Sequence, residues 1–536
     1  MQGLMQRYEL LISTILEHAA RHHGDAEIVS RRTDGSFACT SYAALALRAR
    51  KLAAVLSRLG VSAGDRVGTL AMNSDRHLEL YYAISGSGAV CNTINPRLSH
   101  DDIAYIAGHA EDGVIFCDPA FLPIVAAIAP GLVGLRAVVV LSDAAAMPQA
   151  DLPPRVALHC YETLMDAAAP IDIWPALDEN TASALCYTSG TTGRPKGVLY
   201  SHRSSVLSAM ASNFADVMGL RATDRVAMLV PMFHVNAWGL PYIAPMAGAA
   251  LLLPGARLDP VSLLSLLNDE RATIAVGVPT IWLNLLNHLR DSGQKLETLK
   301  RIVVGGAAMP RALIEAYNQL GVWVSHAWGM TESSPLVTLN APKASCLRLE
   351  GEALLDRRAS QGRVVFGADL CVQDDAGREV PWDGHSPGHL VFRGHWITSG
   401  YYRMPPEGGS WFPTGDVGVF DADGFITLTD RTKDLIKSGG EWNSSIAIEN
   451  IAVAHPEVAE AAAIAVPHEK WGERPLLIVV PRAGCAPTPE SLREFCRGKM
   501  PDWSIPDRVV VAQSIPHGAT GKILKSELRR IYAAVS

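Results

Sequence analysis

The sequence predicts an α/β protein built in more than one lobe, and three observations carry that prediction. Short apolar runs alternate with helix-spaced segments up to about residue 170, and again from Arg225 to about Leu339. Near Gly362 the pattern changes to shorter strands separated by Gly/Pro turns. After Asp430 comes a compact segment of about 105 residues with helices and strands of its own, enough for a small α+β domain. At 536 residues the chain also exceeds one ordinary core. We therefore place an N-terminal domain at 1–429 and a C-terminal domain at 430–536, joined at Asp430 by a short hinge rather than a low-complexity tether.

The elements follow in order. Met1–Ala20 reads as an amphipathic helix, not as a signal peptide, because charges interrupt its apolar residues. Tyr42–Leu59 has apolar residues at helical spacing, and Gly60 follows as a stop. Asp65–Met72, Val114–Cys117, Ala137–Leu141 and Ala182–Cys186 read as strands. Gly197–Tyr200 resumes extended sequence. Val226–Val230, Ala249–Leu253, Ile274–Gly277 and Arg301–Val304 are further strands, with helices at Pro260–Asn268 and Thr280–Leu289 between them. Gly362–Asp430 is a β-rich, barrel-like lobe. The last domain contains helices at Ile446–His455, Pro489–Lys499 and Lys525–Ala534, and strands at Ala461–Val466 and Leu476–Val480.

Composition narrows the function classes. The net charge of −7 gives no general attraction to nucleic acid, so any anion site must be built locally. The nine cysteines are dispersed without a C-x-x-C pair, which points to reduced thiols and a cytoplasmic setting. No apolar run reaches the roughly 20 residues of a spanning helix, so no integral membrane segment is expected.

The chemistry concentrates in five places. Tyr187-Thr-Ser-Gly-Thr-Thr-Gly-Arg-Pro-Lys-Gly197 combines glycines, hydroxyls and a lysine between two extended runs. Glycine lets backbone N–H groups approach an anion closely, while Thr188, Ser189, Thr191, Thr192 and Lys196 add donors and charge. The Walker spacing is absent, so if this loop holds a polyphosphate it does so as a strand-to-strand loop. Ala327-Trp-Gly-Met-Thr-Glu332 offers a ring for a purine and a carboxylate for Mg²⁺. Asp416, after Thr414-Gly415, suits two ribose hydroxyls. Asp430–Glu441 brings a basic stretch and a Gly-Gly turn. Lys522, on a glycine-containing loop of the last domain, can be delivered to a developing charge when that domain closes.

These motifs, in this order, resemble the adenylate-forming superfamily of acyl-CoA synthetases, luciferases and peptide-synthetase adenylation domains, over nearly the whole chain. Pro231–Pro241 and Ser438-Gly-Gly-Glu-Trp442 bring it nearest to bacterial medium- and long-chain fatty-acyl-CoA synthetases. The resemblance implies two flanking α/β sheets plus a β-barrel lobe, capped by a mobile C-terminal lid. It implies ATP, Mg²⁺ and CoA as the small molecules used: the acid and ATP give acyl-AMP and pyrophosphate, then the CoA thiol displaces AMP. It also implies a possible homodimer.

Carried over by motif, Thr188, Ser189, Gly190, Thr191, Thr192, Gly193 and Lys196 hold the phosphates. Gly306, Ala307, Ala327, Trp328, Gly329, Met330 and Thr331 belong to the ATP/AMP site, with Trp328 beside adenine, and Asp416 and Arg431 grip the ribose. Glu332 and Thr188 hold the metal, and Lys522 with Glu332 and Thr188 form the catalytic set. Lys437, Ser438, Gly439, Gly440, Glu441 and Trp442 approach CoA, and Asp430 is the hinge. Trp328 replaces the family's commoner tyrosine. Asn443 replaces the usual apolar residue, and the basic residue often found before Gly521-Lys522 is missing from Pro516–Thr520.

His234, Val235, Trp238, Gly305, Gly306 and Val337 are the expected acyl-site residues. His234-Val-Asn-Ala-Trp238 carries no aspartate to pair with a substrate ammonium, so an uncharged tail is expected, as in a medium- or long-chain fatty acid. A short, aryl or sulfur-containing propionate-type acid is the alternative. A luciferase-like monooxygenase is a further one.

Overall fold

The structure is a computed structural model. It describes all residues except 2, 33–34, 189–193, 439–440, 519–522 and 533–536, together with the side chains of 441 and 442. Two large sheets dominate. One has nine strands, in the spatial order Arg363–Val364, Leu336–Leu339, Trp323–Gly329, Arg301–Val304, Ile274–Gly277, Arg225–Met228, Ala250–Leu253, Glu27–Arg31 and Phe37–Ser41. The five pairings from Trp323–Gly329 through Glu27–Arg31 are parallel, and the outer strands turn antiparallel. The other has seven strands: Ala157–Cys160, Ala137–Val140, Val114–Cys117, Arg66–Leu70, Val90–Thr93, Ala182–Thr188 and Lys196–Ser201.

Parallel strands such as Val114–Cys117, Ala137–Val140 and Ala250–Leu253 are buried at every position. This is why they read as unbroken apolar runs: helices cover both faces. Tyr42–Arg58 and Asp75–Gly86 lie between the sheets, each capped by a serine hydroxyl at its N-terminus. A single cluster of buried side chains joins elements of both sheets, including Leu52, Tyr81, Val139, Met228, Ala237 and Leu336.

The β-rich lobe is a four-stranded antiparallel sheet, Ala368–Gln373, Gly388–Gly394, Phe412–Phe420 and Ile426–Arg431. Strands from Ile436 onward form a separate sheet, led by the long hairpin Val458–His468 and Gly472–Pro481. The helices Ser445–Val453, Pro489–Cys496 and Lys525–Tyr532 belong with it.

The N-terminal expectation needs correction. Residues 3–11 are not helical, and the first helix is Ile12–His22. Its apolar face meets the core through Ile12, Ile15, Leu16 and Ala19. The preceding Met1, Leu4, Met5 and Tyr8 are exposed, so nothing buries an earlier turn. Among the described residues no helix is long and apolar enough to cross a membrane. Thiols are distributed widely: Cys39 is exposed, Cys160 and Cys485 are half-buried, and the other six are buried.

Candidate active site

Ala182–Thr188 and the edge strand Lys196–Ser201 are antiparallel, with Thr188 paired to Lys196. The loop between them therefore closes a hairpin at one end of the seven-stranded sheet. Ser189, Gly190, Thr191, Thr192 and Gly193 lie outside the described residues. The flanks are held firmly: the Tyr402 amide donates to the Gly197 carbonyl (2.8 Å), and the Tyr187 hydroxyl meets His109 Nδ1 at 2.8 Å. Lys196 Nζ sits 4.6 Å from the centre of the Tyr401 ring, a cation–π contact that keeps the ammonium aimed across the site.

The Tyr401 hydroxyl donates to Glu332 Oε1 at 2.8 Å. Glu332 is buried on the short turn Thr331–Ser333, and burial raises its carboxyl above the ordinary range. The Tyr401 bond and the charges of Arg431 and Lys196 oppose that shift. The turn is fixed from below by the Tyr200 hydroxyl, which donates to the Thr331 carbonyl at 2.6 Å. Gly329 is required just before it: a Cβ there would lie 1.7 Å from the Pro335 carbonyl oxygen.

Trp328 is buried and packs against Phe392 with ring centres 6.2 Å apart. Its Nε1 donates to Asp416 Oδ2 at 2.9 Å, and Arg431 Nε lies 3.4 Å from Asp416 Oδ1. Asp416 and Arg431 face each other in the ladder of Phe412–Phe420 with Ile426–Arg431. Strand register thus sets this pair, expected to bind ribose. The Asp416 amide also donates to Thr414 Oγ1 at 3.0 Å, closing the turn through Gly415 at φ +73°.

Gly306 and Ala307 are exposed just beyond the C-terminal end of Arg301–Val304, and Gly306 has φ +81°. Ligands of open α/β sheets bind at this end of the strands. His326 lies beneath, buried, with Nδ1 3.0 Å from the Ala359 carbonyl. Burial lowers its pKa, and hydrogen bonds to the Ala359 and Ala307 backbone oppose the shift. The sequence reading missed His326, because a histidine inside a strand carries no motif.

Val235, Asn236, Ala237 and Trp238 all adopt left-handed φ, between 47° and 56°. Four consecutive non-glycine residues in that region are strained, so surrounding contacts must hold them. Asn236 is buried and accepts from the Cys186 thiol at 3.3 Å. The Trp238 ring lies over Gly305, where a Cβ would come within 3.2 Å of it and 3.1 Å of the Ala327 carbonyl. Val337 does not join this group. It is fully buried in the core of the four-stranded sheet with Trp328, Leu370 and Phe392. Strand alternation sends the neighbouring Leu336 instead into the cluster that holds Ala237, Ala327 and the partly buried Trp238.

Asp430 ends the four-stranded sheet and reaches the next domain. Its Oδ2 accepts from the Ser445 amide at 2.6 Å, and its Oδ1 from the Arg431 amide at 2.8 Å. Lys525 Nζ pairs with Glu449 Oε1 at 2.7 Å and also donates to Ser445 Oγ. Lys437 is exposed, whereas Ser438 is buried. Gly439, Gly440 and Lys522 lie outside the described residues, as do the side chains of Glu441 and Trp442.

Known proteins can now be set beside this geometry. Residues 16–402 match the family described as AMP-binding enzyme, and residues 447–522 match its C-terminal domain. The chain belongs to this family. Within the adenylate-forming superfamily it is 49% identical over 533 residues to a 3-methylmercaptopropionyl-CoA ligase of Ruegeria lacuscaerulensis, covering 99% of this chain and 98% of the relative. It is 47% identical over 539 residues to a medium-chain-fatty-acid–CoA ligase of Ectopseudomonas oleovorans, covering 100% and 98%. The anthranilate CoA ligase AuaEII in complex with anthranoyl-AMP superposes with a TM-score of 0.88 at 25% identity, covering 100% of this chain and 99% of the other. This AMP-binding enzyme is accordingly an AMP-forming acyl-CoA ligase by class.

Proposed function

We propose that the protein activates a medium- or long-chain fatty acid as its acyl-adenylate and passes the acyl group to CoA. The observation that carries the choice of acid is the strap at His234–Trp238, whose indole closes over Gly305 and which presents no carboxylate to a substrate tail. Asp416 and Arg431 hold the ribose, the Thr188–Lys196 hairpin holds the phosphates, and Gly306–Ala307 with Trp328 flank adenine. Lys522 arrives with the lid to stabilise charge at the α-phosphate. Asp430 is the pivot about which the lid turns between adenylation and thioester formation.

The residues fit Mg²⁺. A hard cation takes oxygen ligands, and Glu332 keeps Oε2 while Oε1 is engaged by Tyr401. Among the described residues there is no group of three His, Cys, Asp or Glu that could hold a metal. A site of one carboxylate, with Thr188 and phosphate oxygens completing the shell, suits Mg²⁺ better than a protein cage. When bound, the ion would neutralise phosphate charge.

A second reading is favoured by one specific feature. Beneath the strap lies a cavity of about 10 Å³, room for one water, lined by Tyr200, Ser205, Ser208, Asn236, Tyr242 and Ser334. The buried Tyr242 hydroxyl lacks a partner. A polar floor suits a short acid with a heteroatom, such as a sulfur-containing propionate. Pyrophosphate release across alkanoates of rising length, 3-(methylthio)propionate and benzoate decides. The fatty-acid reading expects a maximum beyond five carbons; a maximum at five or fewer, or at an aromatic acid, overturns it.

A further inference from the structure

Arg474 is buried in the C-terminal domain at 8% exposure. Its Nε and Nη2 fork onto Asp507 at 2.6 and 2.8 Å. Nη2 also donates to the Ile505 carbonyl at 3.0 Å, and Nη1 to the Trp503 carbonyl. The remaining bond from Nη1 goes to Ser438 Oγ at 3.2 Å. A buried guanidinium is tolerated only when its donors are met, and a planar fork does this where a lysine would not.

These bonds join three separated stretches of chain. Ser438 ends the strand Ile436–Ser438 and pairs with Gly472, while the Lys437 amide donates to Glu473 Oε2 at 2.8 Å. Gly472, Glu473 and Arg474 therefore grip the residues before the glycine pair through backbone, carboxylate and guanidinium. From the same point Arg474 fixes 503–507. None of these partners belongs to the ATP set.

We propose that Arg474 is a positioning residue for thioester formation: it fixes the Ser438 end of the strand Ile436–Ser438 against residues 503–507, so that CoA meets a preset strand end. This rests on the assignment of residues 437–442 to CoA. The Ser438 hydroxyl, engaged by Arg474, anchors the end of this strand from inside the domain, which leaves the Ser438 backbone to approach CoA.

The test separates the half-reactions. Arg474→Met and Ser438→Ala are compared with wild type for pyrophosphate release without CoA, for KM of CoA in thioester formation, and for thermal unfolding. The expected result for Arg474→Met is a rise in CoA KM of about tenfold or more, with pyrophosphate release within about threefold of wild type. Ser438→Ala gives a smaller shift in the same direction, and Arg474→Lys recovers only part of the loss because it keeps the charge without the fork. Equal loss in both half-reactions, or an unchanged CoA KM in a folded variant, overturns the proposal. If Arg474→Met fails to fold, Ser438→Ala and Arg474→Lys decide by the same criterion. Wild-type enzyme that releases pyrophosphate but forms no thioester with CoA would defeat the CoA assignment itself, a result distinct from failure of Arg474 alone.

Discussion

Trp328 Nε1 donates to Asp416 Oδ2 at 2.9 Å while Arg431 Nε approaches the other carboxylate oxygen at 3.4 Å. The carboxylate expected to grip ribose is thus held from both sides before any nucleotide arrives. A phenylalanine at 328 keeps an aromatic ring but removes the donor. Hydrogen bonds to charged groups contribute about 1.5–3 kcal/mol. We expect Trp328→Phe to raise the KM for ATP about tenfold or more, with a smaller change in kcat, measured by pyrophosphate release.

Glu332→Gln should lower kcat for adenylation by about 10²-fold or more, as loss of an oriented charge at a phosphate-transfer site does. The same variant carries a stability prediction. Burial raises the Glu332 carboxyl in the folded state, so the folded protein binds more protons than the unfolded chain. Its contribution is full below the unfolded value of 4.5 and is lost as pH rises through the folded one. Between those limits the unliganded wild type should lose stability with rising pH more steeply than Glu332→Gln. Denaturant midpoints across that window, without ATP or metal, give the comparison; parallel curves would refute it.

Lys525→Met leaves Glu449 buried without its cation and removes a donor to Ser445, beside Asp430. Breaking one side of a buried pair costs about 3–5 kcal/mol. Unfolding of the C-terminal domain should shift accordingly, and the double variant with Glu449→Gln should lose less than the sum of the single losses.

Lys522→Ala should reduce adenylation by about 10²-fold or more while largely sparing thioester formation from supplied acyl-AMP. Stopped assays of each half-reaction give the ratio; equal losses would remove Lys522 from its assigned role.

Trp238→Ala opens the space over Gly305. We expect kcat/KM for long alkanoates to rise relative to short ones, because a large ring no longer closes the acyl site. An unchanged chain-length profile would show that Trp238 is only core packing.

Much of this was legible in the sequence because the chemistry sits at ends of strands with strong apolar signatures. Ala182–Cys186 and Gly197–Tyr200 read as two extended runs around a polar loop, and Asp416 stood after an evident Gly turn. What escaped was set by register and long-range packing. Val337 and Leu336 are equally apolar, and only the ladder with Trp323–Gly329 decides which one joins the main core and which the core of the four-stranded sheet. The left-handed run at Val235–Trp238 contains no glycine to announce it. His326 and Arg474 act through contacts with residues distant in sequence, which no local spacing records. The closure of Trp328 onto Asp416 spans 88 positions of chain.

The distribution of thiols has a practical consequence. Cys39 lies exposed on the outermost strand of the nine-stranded sheet, and Cys485 is half-open beyond the long hairpin of the C-terminal domain. Cys160 is equally half-open on the N-terminal side, so with Cys160 replaced the chain carries one attachment point on each side of Asp430. Fluorophores placed there would report by distance on the proposed hinge, with no cysteine added to the sequence.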